Sequence, residues 1–219
     1  MEEALSRTDG GAADGRCTPS PKTAGIGALP PFARLWIWPA LAKPEASPPD
    51  RRFELELDRR YAPLGEVDVA IRYGRGDWSD GVAMPLFDEV LLPVASPELA
   101  LVLGHEPEPG DILRHPLIHD AYPDAWRIWL AERGHRYRPR PQDRRYPDYD
   151  LGLHAAAAGS GVALLRAPYG EIFVQNGSLV PISSVPVASQ LKFHAITERG
   201  SQRRAVRTLL ERIRGLSAS

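Results

Sequence analysis

The sequence predicts an α/β protein with largely parallel sheets, and three observations carry that prediction. Short apolar stretches alternate with helical ones along almost the whole chain. One stretch, Val67 to Tyr73, is apolar at nearly every position, as a strand covered on both faces must be. The helical stretches also carry their own start and stop residues, such as Ser96-Pro97 at one beginning and Gly134 and Gly159 at two ends.

Residues 1–24 hold few large apolar side chains and many Gly, Ser, Thr and Asp, so folding could not repay the entropy of ordering them. Order is expected from about Ile26. Ile26 to Leu29 reads as a short buried strand, and Pro30-Pro31 opens a helix through Phe32, Leu35, Trp36 and Leu41. Phe53 to Asp58 alternates strictly, which makes a strand with one wet face. After Val67–Tyr73 comes another apolar strand, Glu89 to Ala95, and then the Ser96-Pro97-Glu98 helix start. Helices are expected at 111–114, 124–133, 150–158 and 202–216, and strands at 116–119, 162–165, 179–182 and 191–196. The last helix places Val206, Leu209, Leu210, Ile213 and Leu216 on one stripe, with arginines on the opposite face.

A chain of 219 residues can build one domain or two small lobes with a substantial core. Its 43% apolar and 25% charged residues are ordinary for a soluble globular protein, and a net charge of −1 gives no footprint of nucleic-acid coating. Cys17 is the single cysteine, which excludes an internal disulfide. No stretch is as long and apolar as a membrane span, and the first residues lack the apolar core of a secretory signal, so a cytoplasmic protein is expected.

Catalytic signatures are weak. Gly74-Arg75-Gly76 has neither the third glycine of a dinucleotide loop nor the Gly-Lys-Ser/Thr of a phosphate loop. Ser160 has Ala158 and Val162 where a nucleophile elbow needs glycines two residues to either side, and it ends a helix instead of starting one. His115 and His119, four apart in a strand, would stand ~13 Å apart, too far to share a metal ion. Trp126, Trp129 and Leu130 have the spacing of a helix core face. No enzyme activity, cofactor or metal is expected, and a binding module fits better.

Three stretches, "VDVAIRYGRGDW", "LFDEVLLPVASPEL" and "DLGLHAAAAGSGVALL", resemble the effector-binding (substrate-binding) domain of LysR-type transcriptional regulators, particularly the glycine-cleavage-activator-like group. The order of "HPLIHD", "AWRIWLAERG", "GSLVPI" and "LKFHAITERG" agrees, so the similarity runs from about Ile26 to the C-terminus. The resemblance implies a type 2 periplasmic-binding-protein-like fold, two Rossmann-like lobes joined by two crossover strands. Lobe one would comprise 25–94 plus 187–219 and lobe two 95–186, with crossings near Val94-Ala95 and Pro186. It also implies a small effector between the lobes and pairing of the domains as dimers. Two departures stand out. The residues before Ile26 are too few for the family's helix-turn-helix and linker helix, so no direct DNA contact is expected from this chain. The segment from Arg59 to Glu66 is shorter than usual and holds Pro63 and Gly65 where the family has a helix.

Ligands in open α/β sheets bind beyond strand ends, which nominates a site. Leu29, Pro30 and Pro31 would form the first-strand loop, where the family often has a hydroxyl residue to hold a carboxylate. Arg72 would supply a bidentate contact to a small organic anion, Tyr73 a ring wall, and His119 and Asp120 polar groups from lobe two. Arg166 stands at another strand end. Two other functions share the fold: a stand-alone solute-binding protein, and a DNA-binding-deficient modulator that dimerises with full-length regulators.

Overall fold

The computed structural model describes residues 23–41, 52–58, 62–122, 124–200 and 202–217. Cys17 and most of the 1–24 segment lie outside them, but Thr23 and Ala24 already belong to the first strand, so order starts earlier than Ile26. Arg59 and its two successors also lie outside. Within the rest of that segment Leu64 bridges Val67 across a turn at Gly65, with no helix among the described residues.

The first sheet has the order β2-β1-β3-β11-β4. β1 (Thr23–Ala28) runs parallel to β2 (Arg52–Leu57) and to β3 (Val69–Gly74). β4 (Val82–Pro85), which sequence reasoning did not find, lies antiparallel to β11 (Lys192–Thr197), and β11 is antiparallel to β3. In β3 five of six residues are buried, as its unbroken apolar run requires of a central strand. The second sheet is built on β5 (Val90–Ala95), antiparallel to β8 (Ala163–Ala167), β9 (Val180–Pro181) and β10 (Val187–Ala188). A short parallel pair joins β6 (Ile118–His119) to β7 (Arg144–Arg145). The sheets are therefore mixed, and the second is wholly antiparallel, in place of the largely parallel arrangement expected. Apolar runs report burial on two faces, and burial is the same for either strand direction.

Pairing also locates the passages between the sheets. Leu86 still bonds the first sheet through Phe193, whereas β5 bonds the second from Val90 onward. The chain crosses over 86–89 and returns over 189–191. The two crossings lie side by side, the Ser189 N–H donating to the Glu89 carbonyl at 2.8 Å.

Helix α1 starts with Pro30–Phe32, loosens into a π-helical stretch at Ala33–Ile37 and ends as Trp38–Leu41. In α2 (Pro97–Leu103) the Ser96 hydroxyl accepts from the Leu99 N–H, the cap that the sequence announces. α3 (Pro109–Ile112) begins two residues before the expected start. α4 (Ala125–Ala131) buries Trp126, Trp129 and Leu130 in a core beneath the second sheet. α5 (Tyr149–Ala157) and the short α6 (Ile172–Gln175) pack on a larger core that reaches both sheets. α7 (Arg204–Ser217) buries Val206, Leu209 and Ile213 against the first sheet and exposes Arg204, Arg207 and Arg214.

One turn fixes how β8 approaches β6. Gly161 has φ +146°, and a Cβ there would sit 2.2 Å from the Pro116 carbonyl oxygen. Gly104 has φ +74° but open space around it. Gly104→Ala is expected to cost about 1 kcal/mol, and Gly161→Ala about 1–3 kcal/mol more because backbone must move. Urea unfolding of the two variants checks the order.

Candidate functional site

A cleft of about 280 Å³ opens between the two sheets. Its first wall is the β1–α1 connection, where extended Leu29 hands over to Pro30 and Pro31 at the helix start, together with Phe32. Tyr73 of β3 and Phe193 of β11 complete that side. The second wall comes from Asp120 to Tyr122 after β6, Pro147 to Tyr149 entering α5, and Tyr169 after β8.

Beneath the cleft, Arg166 is nearly sealed from solvent and gathers groups from both sheets. Its Nη1 donates to Glu89 Oε1 at 3.0 Å and to the Tyr73 hydroxyl at 2.7 Å. Nε and Nη2 both reach Asp120 Oδ2, at 3.0 and 2.9 Å. Tyr73 in turn donates to Glu89 Oε1 at 2.6 Å, and the Arg166 main-chain N–H donates to the Tyr149 hydroxyl. The guanidinium carbon also lies 5.5–5.8 Å from the ring centres of Tyr73, Tyr122 and Tyr149. Burial opposes the arginine's charge, but Asp120, Tyr73 and Glu89 outweigh it and hold the side chain protonated. Burial pushes the Glu89 carboxyl up from its usual range, against the pull of Arg166 and Tyr73.

The structure brings together Leu29, Pro30, Pro31, Tyr73 and Asp120 in the cleft lining, with Arg166 under its floor. Arg72 and His119 go elsewhere. Arg72 makes a bidentate pair with Asp80, Nη1 to Oδ1 at 2.8 Å and Nη2 to Oδ2 at 2.7 Å. His119 stacks on Tyr137 and bonds its hydroxyl through Nε2 at 2.7 Å. For Arg72 the reason is the two-residue period of a strand: Tyr73 faces the cleft, so Arg72 faces the other way; His119 lines a smaller cavity with Asp120 and Arg166. Sequence reasoning missed Glu89, Phe32, Tyr122, Asp148, Tyr149, Tyr169 and Phe193. Phe193 could have been found, since it alternates with His194 in a recognisable strand; the loop aromatics carried no such signal.

Behind β6, the Tyr137 hydroxyl donates to Asp143 Oδ2 at 2.6 Å, and Asp143 also accepts from Arg140 and from the Leu117 N–H. Burial works against ionisation of Asp143, yet Arg140, Tyr137 and the backbone donors hold its carboxyl at about 2. Burial also pulls His119 below its usual value. Among the described residues no group of three or more His, Cys, Asp or Glu is placed to hold a metal ion, and no helix is long and apolar enough to cross a membrane.

Comparison with known proteins agrees with this geometry. The LysR substrate binding domain family matches residues 22–218. The glycine cleavage system transcriptional activator of Escherichia coli (strain K12) is 33% identical over 168 residues, covering 74% of this chain and 54% of the relative. The HTH-type transcriptional activator AmpR of Pseudomonas aeruginosa is 31% identical over 145 residues, 65% of this chain and 48% of the relative. The chain thus spans about half the length of the curated relatives it matches, and those relatives are transcription regulators. Among solved structures, the AmpR effector binding domain from Citrobacter freundii superposes with a TM-score of 0.76 at 25% identity, covering 90% of this chain and 100% of that one. The effector domain of Pseudomonas aeruginosa AmpR gives 0.78 at 23% identity, 90% and 96% covered.

Removing the Arg166 cation leaves two carboxylates without it, so Arg166→Leu is expected to lose about 3–5 kcal/mol. Tyr73→Phe deletes only a hydroxyl and should lose about 1–3 kcal/mol. Equilibrium urea unfolding reads both. Asp143 has a depressed folded-state value, so its contribution is present above the ordinary aspartate range and disappears as pH falls from about 4 to about 2. Melting temperatures across that window should fall more steeply for wild type than for Asp143→Asn.

Proposed function

From the chain's membership of the LysR substrate-binding domain family, to which it belongs by the match over residues 22–218, we propose that it senses a small organic effector in the cleft and transmits occupancy through the setting of its two lobes. The observation that carries this reading is that one wall comes from the first sheet and its β1–α1 connection and the other from the segments after β6 and β8 and the start of α5, while among the described residues two short crossings join the two sheets. A ligand touching both walls has different contacts in different lobe settings, and only such a difference can shift their populations. In this reading the described residues of 23–86 and 191–217 are assigned to one lobe and those of 90–188 to the other, a division that the strand pairings support.

The small organic anion read from the sequence rested chiefly on Arg72, with Arg166 as a further strand-end candidate. Both are held by carboxylates of the chain itself, so the lining supports the small organic body and leaves its charge unassigned. The proposal extends to the whole protein as a LysR-type transcription regulator working in the cytoplasm, with sensing assigned to these residues and DNA contact not assigned to them. Pairing with a second LysR-type subunit, identical or not, belongs to the same reading: Leu101 and Val102 on α2 are 84% and 75% exposed and offer an apolar face.

A calorimetric screen of small metabolites tests the site. Ala121 is exposed at the cleft rim, so Ala121→Trp fills the cavity without disturbing the core. A true effector should lose at least about tenfold in affinity in Ala121→Trp and keep wild-type affinity in Arg72→Ala. The opposite pattern would move the site to Arg72.

A further inference from the structure

The charges that border the cleft are already answered within the chain. Arg166, below the floor, is shared between Asp120 and Glu89. Asp120 spends Oδ2 on Arg166, and its Oδ1 accepts the Tyr122 N–H at 2.7 Å. Asp148, the other carboxylate of the lining, is engaged within the chain as well. Among the described residues no lysine, arginine or histidine lines the cleft. A charged ligand would give up its hydration there with no opposite charge left to replace it.

A hydroxyl in the lining, by contrast, is not spent. Tyr73, Tyr149 and Tyr169 all line the cleft and are all buried. The Tyr73 hydroxyl donates to Glu89, and the Tyr149 hydroxyl accepts the Arg166 N–H at 2.7 Å. Tyr169 is 4% exposed, and among the described residues its hydroxyl has no hydrogen-bond partner. Nor is it one of the unpartnered polar atoms sealed from solvent, as Trp36 Nε1 and Trp129 Nε1 are. It therefore meets open space, and the open space that Tyr169 lines is the cleft. The ring is held in place by Tyr149 at 4.8 Å, Phe193 at 5.1 Å and Phe32 at 5.8 Å between ring centres. Burial raises the Tyr169 hydroxyl well above its ordinary value, so it keeps its proton and can donate.

We propose that the cleft takes an uncharged ring compound carrying a carbonyl-type acceptor, and that the Tyr169 hydroxyl donates to that acceptor. The hydroxyl gives up no bond within the chain when it turns to a ligand, so the new hydrogen bond is gained whole. A carboxylate would accept the same bond but find no free cation, and an ammonium group would find no free carboxylate. Phe32, Phe193 and Tyr122 supply flat apolar surface for the ring. The volume, about 280 Å³, suits a single ring with a short side chain. This assignment rests on the cleft being the effector site.

Three probes of nearly one shape separate the possibilities: 3-phenylpropionamide, 3-phenylpropionate and 3-phenylpropylamine, titrated calorimetrically into wild type, Tyr169→Phe and Ala121→Trp. The amide is expected to bind about tenfold or more tightly than either charged probe. Tyr169→Phe should weaken the amide about three- to tenfold and leave the urea midpoint where it is, since the hydroxyl holds nothing within the chain. If either charged probe matches the amide and Ala121→Trp abolishes its binding, the uncharged ligand is overturned while the effector cleft stands. Equal amide affinity in Tyr169→Phe, or a lowered urea midpoint, overturns Tyr169 as the donor. Failure of the amide to bind at millimolar concentration overturns the ligand class. Amide binding unchanged in Ala121→Trp would overturn the cleft as the effector site, and this assignment with it.

Discussion

A single buried cation organises this molecule. Arg166 stands on the second sheet, but its bonds run to Tyr73 on the first sheet and to Glu89 on the crossing between them. An arginine can be taken out of water only if carboxylates and hydrogen-bond acceptors replace its hydration. Glu89 and Asp120 do so, and their own burial is in turn tolerable only because Arg166 is there. The crossings, the Tyr73 ring and the Asp120 carboxylate are therefore positioned together. What lies above them inherits that arrangement: the cleft floor shows rings and a carboxylate edge, with the positive charge turned inward.

This accounts for the part of the site that was legible in the sequence and the part that was not. Strand ends were recognisable, and Tyr73, Asp120 and the Leu29-Pro30-Pro31 loop do line the cleft. Which of two adjacent residues faces the cleft depends on strand phase, and Arg72 has the opposite phase to Tyr73. A charged residue beside an aromatic one is chemically the more attractive ligand, but the strand's period is indifferent to chemistry. Arg166 was nominated for its charge, yet its partner Glu89 lies 77 residues away, and no local pattern announces a pair so distant.

The same distinction runs through the fold. Local signals were readable: the Ser96 cap and the Trp126-Trp129-Leu130 face both form as their residues dictate. Strand direction and sheet membership are long-range properties. The apolar run ending in Val94-Ala95 looked like a first-lobe strand leading into a crossing, but its hydrogen bonds go to Leu164 and Ala163 of the second sheet. The Val82–Pro85 strand escaped notice because it is an edge strand with half-exposed residues and no apolar run.

Two charge contacts between the lobes differ in their exposure to water. Beneath the cleft the lobes are joined by charge-assisted bonds that solvent does not reach. A second contact is made by Arg34 of α1, whose Nε and Nη2 meet Asp150 Oδ2 of α5 at 2.8 and 2.6 Å. Arg34 is half exposed but Asp150 is buried, so water reaches this pair from the arginine side alone. The two pairs differ in what their loss would leave behind: two carboxylates around Arg166, and one beside Arg34.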